Sequence, residues 1–267
     1  MPPRRKSLRV PSDGLELAVE VLGDGQPLLF AHPLGSCHHQ TERVLAPLTE
    51  DYQLIVFDQR GHCGSTPVTD EALYDARRMA ADIGAILDHL GLEQAIVGGE
   101  SMGAATALLF ATMHPKRVQQ LIQVAPTSVD RANPNAAMIV AISDFAERYG
   151  LQAAADAITL SSMSHGIPRE AASMVTALWS HHHVESFAAA NRVVPMWAPF
   201  EDLNPVAALR MPIGVFAWGA DPSRPLPLAR RLAAAARRGR IETVASLAEI
   251  ASDPLVYASS IRKLLSP

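Results

Sequence analysis

The sequence predicts an α/β protein: a mostly parallel sheet flanked by helices, with a helical segment inserted before the last strands. Through the first half, short apolar runs alternate with helical patterns. After Pro126 that alternation stops, and an Ala-rich helical pattern runs to about Asn204. With "MPIGVFAWG" it resumes. The expected division is a core of residues 1–126 and 205–267 with a helical cap of residues 127–204.

Taken in order, "LELAVEVLG" reads as a strand ending at Gly23, and "PLLFAHP" is a continuous apolar run suited to a strand buried on both faces. "YQLIVFDQRG" repeats the pattern. Between Leu73 and Leu90, Ala76, Met79, Ala80, Ile83, Ile86, Leu87 and Leu90 recur at helical spacing, with Gly91 placed to stop the helix. "QAIVGG" is the next strand, "MGAATALLFATMHP" a helix ended by Pro115, and "VQQLIQVAP" a strand. In the insertion, "AAMIVAISDFAERYG", "LQAAADAITLSS" and "PREAASMVTALWSHHH" read as helices. Then come a helix in "LPLARRLAAAARRG", a strand in "RIETVAS", and a last helix in "PLVYASSIRKLL", capped by Asp253 with Pro254 in its first turn.

Composition narrows the function. A chain of 267 residues fits one large core. A formal charge of -4 leaves no basic footprint for nucleic acid. Only Cys37 and Cys63 are present, which gives no disulfide framework and suits a reducing cytoplasm. No apolar run reaches signal-peptide or bilayer-spanning length, so a cytoplasmic protein with no membrane partner is expected.

The chemistry is concentrated in "VGGESMGA", where Ser101 stands in a Gly-x-Ser-x-Gly turn between a strand and a helix. Glycines on both sides permit a sharp turn that lifts the hydroxyl to the carboxyl end of the sheet, with the Met102 amide and the helix N-terminus facing developing negative charge. In "FAHPLGS", Pro33 has no N–H, so Leu34 is the second oxyanion donor expected, and Gly35 allows close backbone approach.

With "HPLG", "DQRGHCGS", "GESMG" and "WGADPSRP" in this order, the chain resembles an α/β-hydrolase of the small cap-bearing type, similar to 3-oxoadipate enol-lactonase-like hydrolases. The resemblance implies Ser101 as nucleophile, Asp221 as acid and a late histidine as base. That histidine is absent: none of the ten lies beyond His183, and Ala248-Glu249 occupies the expected place.

Three sources could replace it. The "SHHHVESF" segment could turn a histidine, His183 among them, into the pocket, although a helix end in solvent is the plainer reading. Glu249 could act as base if burial raised its pKa. His38 or His39 could border the pocket as substrate contacts, whereas His32 reads as structural. Arg224 cannot accept a proton, but it could pair with Asp221 or Glu249, or bind a substrate carboxylate. Trp179, Met196, Trp197 and Phe200 are candidate apolar lining.

The reading is therefore a serine hydrolase of a small ester or lactone, with Ser101, Asp221 and Glu249 catalytic, Leu34 and Met102 in the oxyanion hole, and His38, His183, Trp197 and Arg224 binding substrate. No cofactor and no metal are expected, because adjacent histidines diverge and no carboxylate or thiolate stands at ligand spacing. The partner is a small-molecule substrate, and a homo-oligomer is compatible with the sequence. The alternative is a triad-degenerate member of the fold acting as a cofactor-free lyase or cyclase, or as a ligand-binding protein.

Overall fold

The structure is a computed structural model describing residues 4–164, 169–219, 225–253 and 255–266. Its sheet has eight strands: β1 (Arg5–Ser12), β2 (Leu15–Leu22), β3 (Gln26–Ala31), β4 (Tyr52–Phe57), β5 (Ala95–Glu100), β6 (Val118–Val124), β7 (Ile213–Trp218) and β8 (Gly239–Val244). They lie in the order β1-β2-β4-β3-β5-β6-β7-β8. β2 pairs antiparallel with β1 and β4, and the rest of the sheet is parallel. This is the α/β fold expected from the sequence.

The apolar runs become strands because both faces are covered. Leu28–Ala31, Ala95–Gly99 and all of β7 are buried. On one face lie α2 (Ala76–His89), α3 (Met102–Met113) and α9 (Leu226–Ala235), packing Ile83, Leu108 and Leu232 against Leu29, Val97 and Val215. On the other, α1 (His38–Leu45) and α11 (Leu255–Leu265) pack Leu45, Ile261 and Leu264 against Leu28, Leu54 and Ile122. Between β6 and β7 come α4 (Ala136–Tyr149), α5 (Leu151–Ser164), α6 (Arg169–Thr176), α7 (Val184–Val193) and α8 (Asn204–Ala208). Ala146, Ala154, Ala155, Trp179 and Phe187 form a small core of their own there.

Three elements differ from the sequence reading. β1 was not expected; it is a polar edge strand holding Arg5, Lys6, Arg9 and Pro11, joined to β2 by Asp13-Gly14 with φ of 50° and 79°. Two successive positive φ values make this the tight hairpin turn that Asp-Gly favours. α6 ends at Thr176, so the histidine run does not finish a helix: Trp179–His181 is a short 3-10 turn and His183 is the N-cap of α7. "SLAEIAS" forms α10 (Leu247–Ser252) rather than a loop. Asp253 does cap the last helix, accepting the Leu255 N–H at 3.0 Å.

Strand order places the site. From β3 the chain moves to β4 on one side and then crosses to β5 on the other. The turns leaving β3 and β5 therefore diverge and open a crevice at the carboxyl ends of these strands.

Candidate active site

At the end of β5 the chain turns sharply into α3. Ser101 has φ 53° and ψ -111°, a strained conformation for a residue with a side chain. Its N–H donates to the Val124 carbonyl at 2.9 Å, tying the turn to β6. The flanking glycines are sterically required. A Cβ on Gly103 would lie 2.1 Å from the Ala31 carbonyl oxygen, and one on Gly99 would lie 2.2 Å from that of Gly103. Glu100 points elsewhere and accepts the Tyr257 hydroxyl at 2.9 Å.

The turn after β3 faces this elbow. Ser36 N–H returns to the Pro33 carbonyl at 3.2 Å, with Gly35 at φ 71°. His32 locks the turn: Nδ1 lies 2.7 Å from the Pro33 carbonyl, while Nε2 accepts the Gln59 N–H at 2.9 Å. Only the neutral ring with the proton on Nδ1 makes both bonds. Burial pushes its pKa down to about 3.

A pH effect on stability follows. Below its ordinary value of 6.5 the unfolded chain binds a proton that folded His32 refuses, so stability falls with acid until about pH 3. The slope is about 1.4 kcal/mol for each pH unit from this residue. Burial shifts His62 and His182 the same way. Urea unfolding measured across this range should lose about one proton of pH dependence in His32→Gln; equal slopes would refute the assignment.

Between the Ser101 turn and the helices that join β6 to β7 lies a cavity of about 200 Å³ lined by Ser101, Met102, Leu34 and Gly35, and by residues such as Ile139, Trp179, Phe187 and Asn191 from those helices and their connections. Thr127, Ser128, Asn133 and Asn135 add polar groups that sequence reasoning missed. Positive φ at Ala125 (43°) and Ser128 (52°) bends the chain after β6 over the cavity, a backbone feature no local motif announces. As the first residue of α3, Met102 has an N–H without an intrahelical acceptor.

Other candidates stand elsewhere. Trp179 lines the cavity, but Trp197 is buried with its Nε1 donating to the Tyr74 carbonyl at 3.1 Å, Phe200 belongs to the sheet core, and Met196 is exposed. His38 turns to Asp58: its N–H and Nδ1 lie 2.8 and 2.9 Å from Oδ1. Burial would raise the Asp58 carboxyl, but the His38 hydrogen bonds prevail and hold it at about 2. His183 is exposed. Glu249 is exposed too, its carboxylate accepting the Ala245 N–H at 2.9 Å near the start of α10, away from the cavity lining. Asp221 and Arg224 lie outside the described residues. Among the described lining residues there is no histidine, aspartate or glutamate.

A parallel sheet with a strained serine turn at its switch point defines a class of fold, and comparison with known proteins agrees. Residues 26–191 match the alpha/beta hydrolase fold family. The chain belongs to that family. It is 35% identical over 100 residues to 3-oxoadipate enol-lactonase 2 of Acinetobacter baylyi, covering 37% of this chain and 36% of that protein. It is 32% identical over 105 residues to a non-heme haloperoxidase of Rhodococcus erythropolis, covering 39% and 37%. The matched stretches thus span little more than a third of these relatives. Among solved structures, the enol-lactonase from Burkholderia xenovorans LB400 superposes with a TM-score of 0.80 at 19% identity, over 97% of this chain and 100% of that one. A thermophilic esterase from Thermogutta terrifontis gives 0.79 at 19% identity, over 98% and 100%. Among the described residues no helix is long and apolar enough to cross a membrane.

Proposed function

We propose that the protein is a serine hydrolase of small esters or lactones, with Ser101 as nucleophile and the Leu34 and Met102 amides as oxyanion donors. The observation that carries this is the strained Ser101, held at φ 53° at the start of α3 and opening on the cavity. Strain at a position that a glycine would occupy without cost persists where the side chain is needed. The enol-lactonase and haloperoxidase relatives add support by analogy.

Asp221 keeps the role of acid that the resemblance implies. The described cavity wall holds no base, and Glu249 is engaged with Ala245. That wall also favours a second reading, a lyase, cyclase or binding protein that uses the pocket without a covalent intermediate.

Labelling with a fluorophosphonate, mapped by peptide mass spectrometry, separates the two. Hydrolysis requires modification at Ser101, slowed far more by Asp221→Asn than by Glu249→Gln. Folded protein left unmodified would discard the hydrolase reading in favour of the second.

A further inference from the structure

Behind the Pro33–Ser36 turn, outside the Ser101 cavity, three chain segments bring soft and hard donors together. Cys37 is the N-cap of α1 and fully buried, Asp58 lies at the end of β4, and Cys63 sits in the following loop at φ 41°. The two sulfurs and a carboxylate oxygen of Asp58 all lie within 4.8 Å of one another. From the inserted segment, His182 approaches one member of this group: its Nε2 is 3.5 Å from the Cys63 sulfur. The sequence reading saw no thiolate near the histidine run; folding supplies one from 119 residues away.

We propose that Cys37, Cys63, Asp58 and His182 bind a divalent ion of zinc type that pins the cap to the turn carrying Leu34. The donor chemistry is that of a four-coordinate zinc site, two thiolates with an imidazole and a carboxylate. Sulfur at about 2.3 Å and nitrogen at about 2.0 Å from one tetrahedral centre stand about 3.5 Å apart. The Cys63–His182 pair already has that spacing. Cys37 and Asp58 stand beside Cys63 as the other donors, and metal binding draws the His182 ring toward them.

The surroundings fit the ligating forms. His182 is only 8% exposed, packed edge-on against His62 and Phe187 at 5.3 and 5.7 Å between ring centroids, and burial keeps it neutral. Asp58 is held ionised by His38, which also orients its carboxylate. Binding releases the two thiol protons to solvent and involves no redox change. The site stands apart from Ser101, so it holds or fails independently of the hydrolase reading.

The test is a cobalt titration of reduced, metal-free, full-length protein. One equivalent of Co(II) should produce a thiolate-to-cobalt charge-transfer band in the near ultraviolet and the intense visible bands of a four-coordinate ion, both abolished by Zn(II). Cys63→Ser should weaken the charge-transfer band and lower affinity at least tenfold. His182→Gln should keep that band, change the visible bands and lower affinity about tenfold or more. Zn(II) should raise the melting temperature of the wild type and not of Cys63→Ser. Folded wild-type protein with two titratable thiols and no cobalt bands would overturn the proposal. So would a Cys37–Cys63 disulfide whose reduction restores no cobalt binding, or a His182→Gln variant that binds and absorbs like the wild type.

Discussion

Replacing Ser101 with glycine is expected to destroy hydrolysis and make the protein more stable. On the proposed mechanism, removing the nucleophile leaves only binding and oxyanion stabilisation, so turnover of a model ester should fall on the order of a thousandfold or more. Stability should move the other way. Holding a serine at φ 53° and ψ -111° costs about 1–3 kcal/mol. Glycine adopts such a conformation freely but gives back about 0.5–1 kcal/mol in unfolded-chain entropy. The net gain should be about 1 kcal/mol. Ser101→Ala separates the two effects, because it loses the hydroxyl and keeps the strain. It should match the glycine variant in lost activity and fall below it in urea stability. A glycine variant less stable than the alanine variant by about 0.5–1 kcal/mol, the entropy cost alone, would show that the elbow stores no strain, and near-normal turnover in either would remove Ser101 from the mechanism.

Much of this arrangement was legible because it rests on local constraints. A strand buried on both faces must be apolar throughout, so β3, β5 and β7 were visible as runs. A serine turn between strand and helix needs small neighbours, so Gly99 and Gly103 marked it. Elements hidden from the apolar pattern were those with little core to fill. β1 is polar because it lies at an edge, yet Asp13-Gly14 was a hairpin signal in plain view. Ser246 with Glu249 three residues later is a capping-type pattern; in the structure the Ser246 side chain makes no cap bond, and Glu249 accepts the N–H of Ala245, just before the N-cap of α10. What the sequence could not reveal was which member of a run faces inward. Of His181, His182 and His183, only His182 is buried, a result of packing against Cys63 and His62, far away in the chain. The cavity wall from Thr127 to Asn135 was equally hidden, since it depends on the backbone path after β6 rather than on a motif.

The largest stability effect should come from the loop that follows β4. Arg60 is fully buried and grips Asp82 through two bonds, Nε to Oδ2 at 2.8 Å and one Nη to Oδ1 at 2.7 Å. Its remaining N–H groups reach Asp13 at 3.1 Å and the carbonyls of Leu73 and Arg78 at 2.9 and 3.3 Å. Asp82 is equally buried and, among the described residues, has one other partner, the Ser12 hydroxyl at 2.6 Å. Arg60→Met should therefore cost about 3–5 kcal/mol in urea unfolding, chiefly because the Asp82 carboxylate stays buried without its counter-charge. The pair itself is worth much less than that figure. Two well-packed apolar side chains avoid the desolvation of both ions, so Arg60→Met combined with Asp82→Leu should be more stable than Arg60→Met alone. If the double variant instead loses the sum of the two single effects, the network acts through its bonds to Asp13, Leu73 and Arg78 rather than through charge. In that case the guanidinium is the clamp that joins the β1–β2 turn and α2 to the loop bearing Asp58 and Cys63, and no apolar pair can replace it.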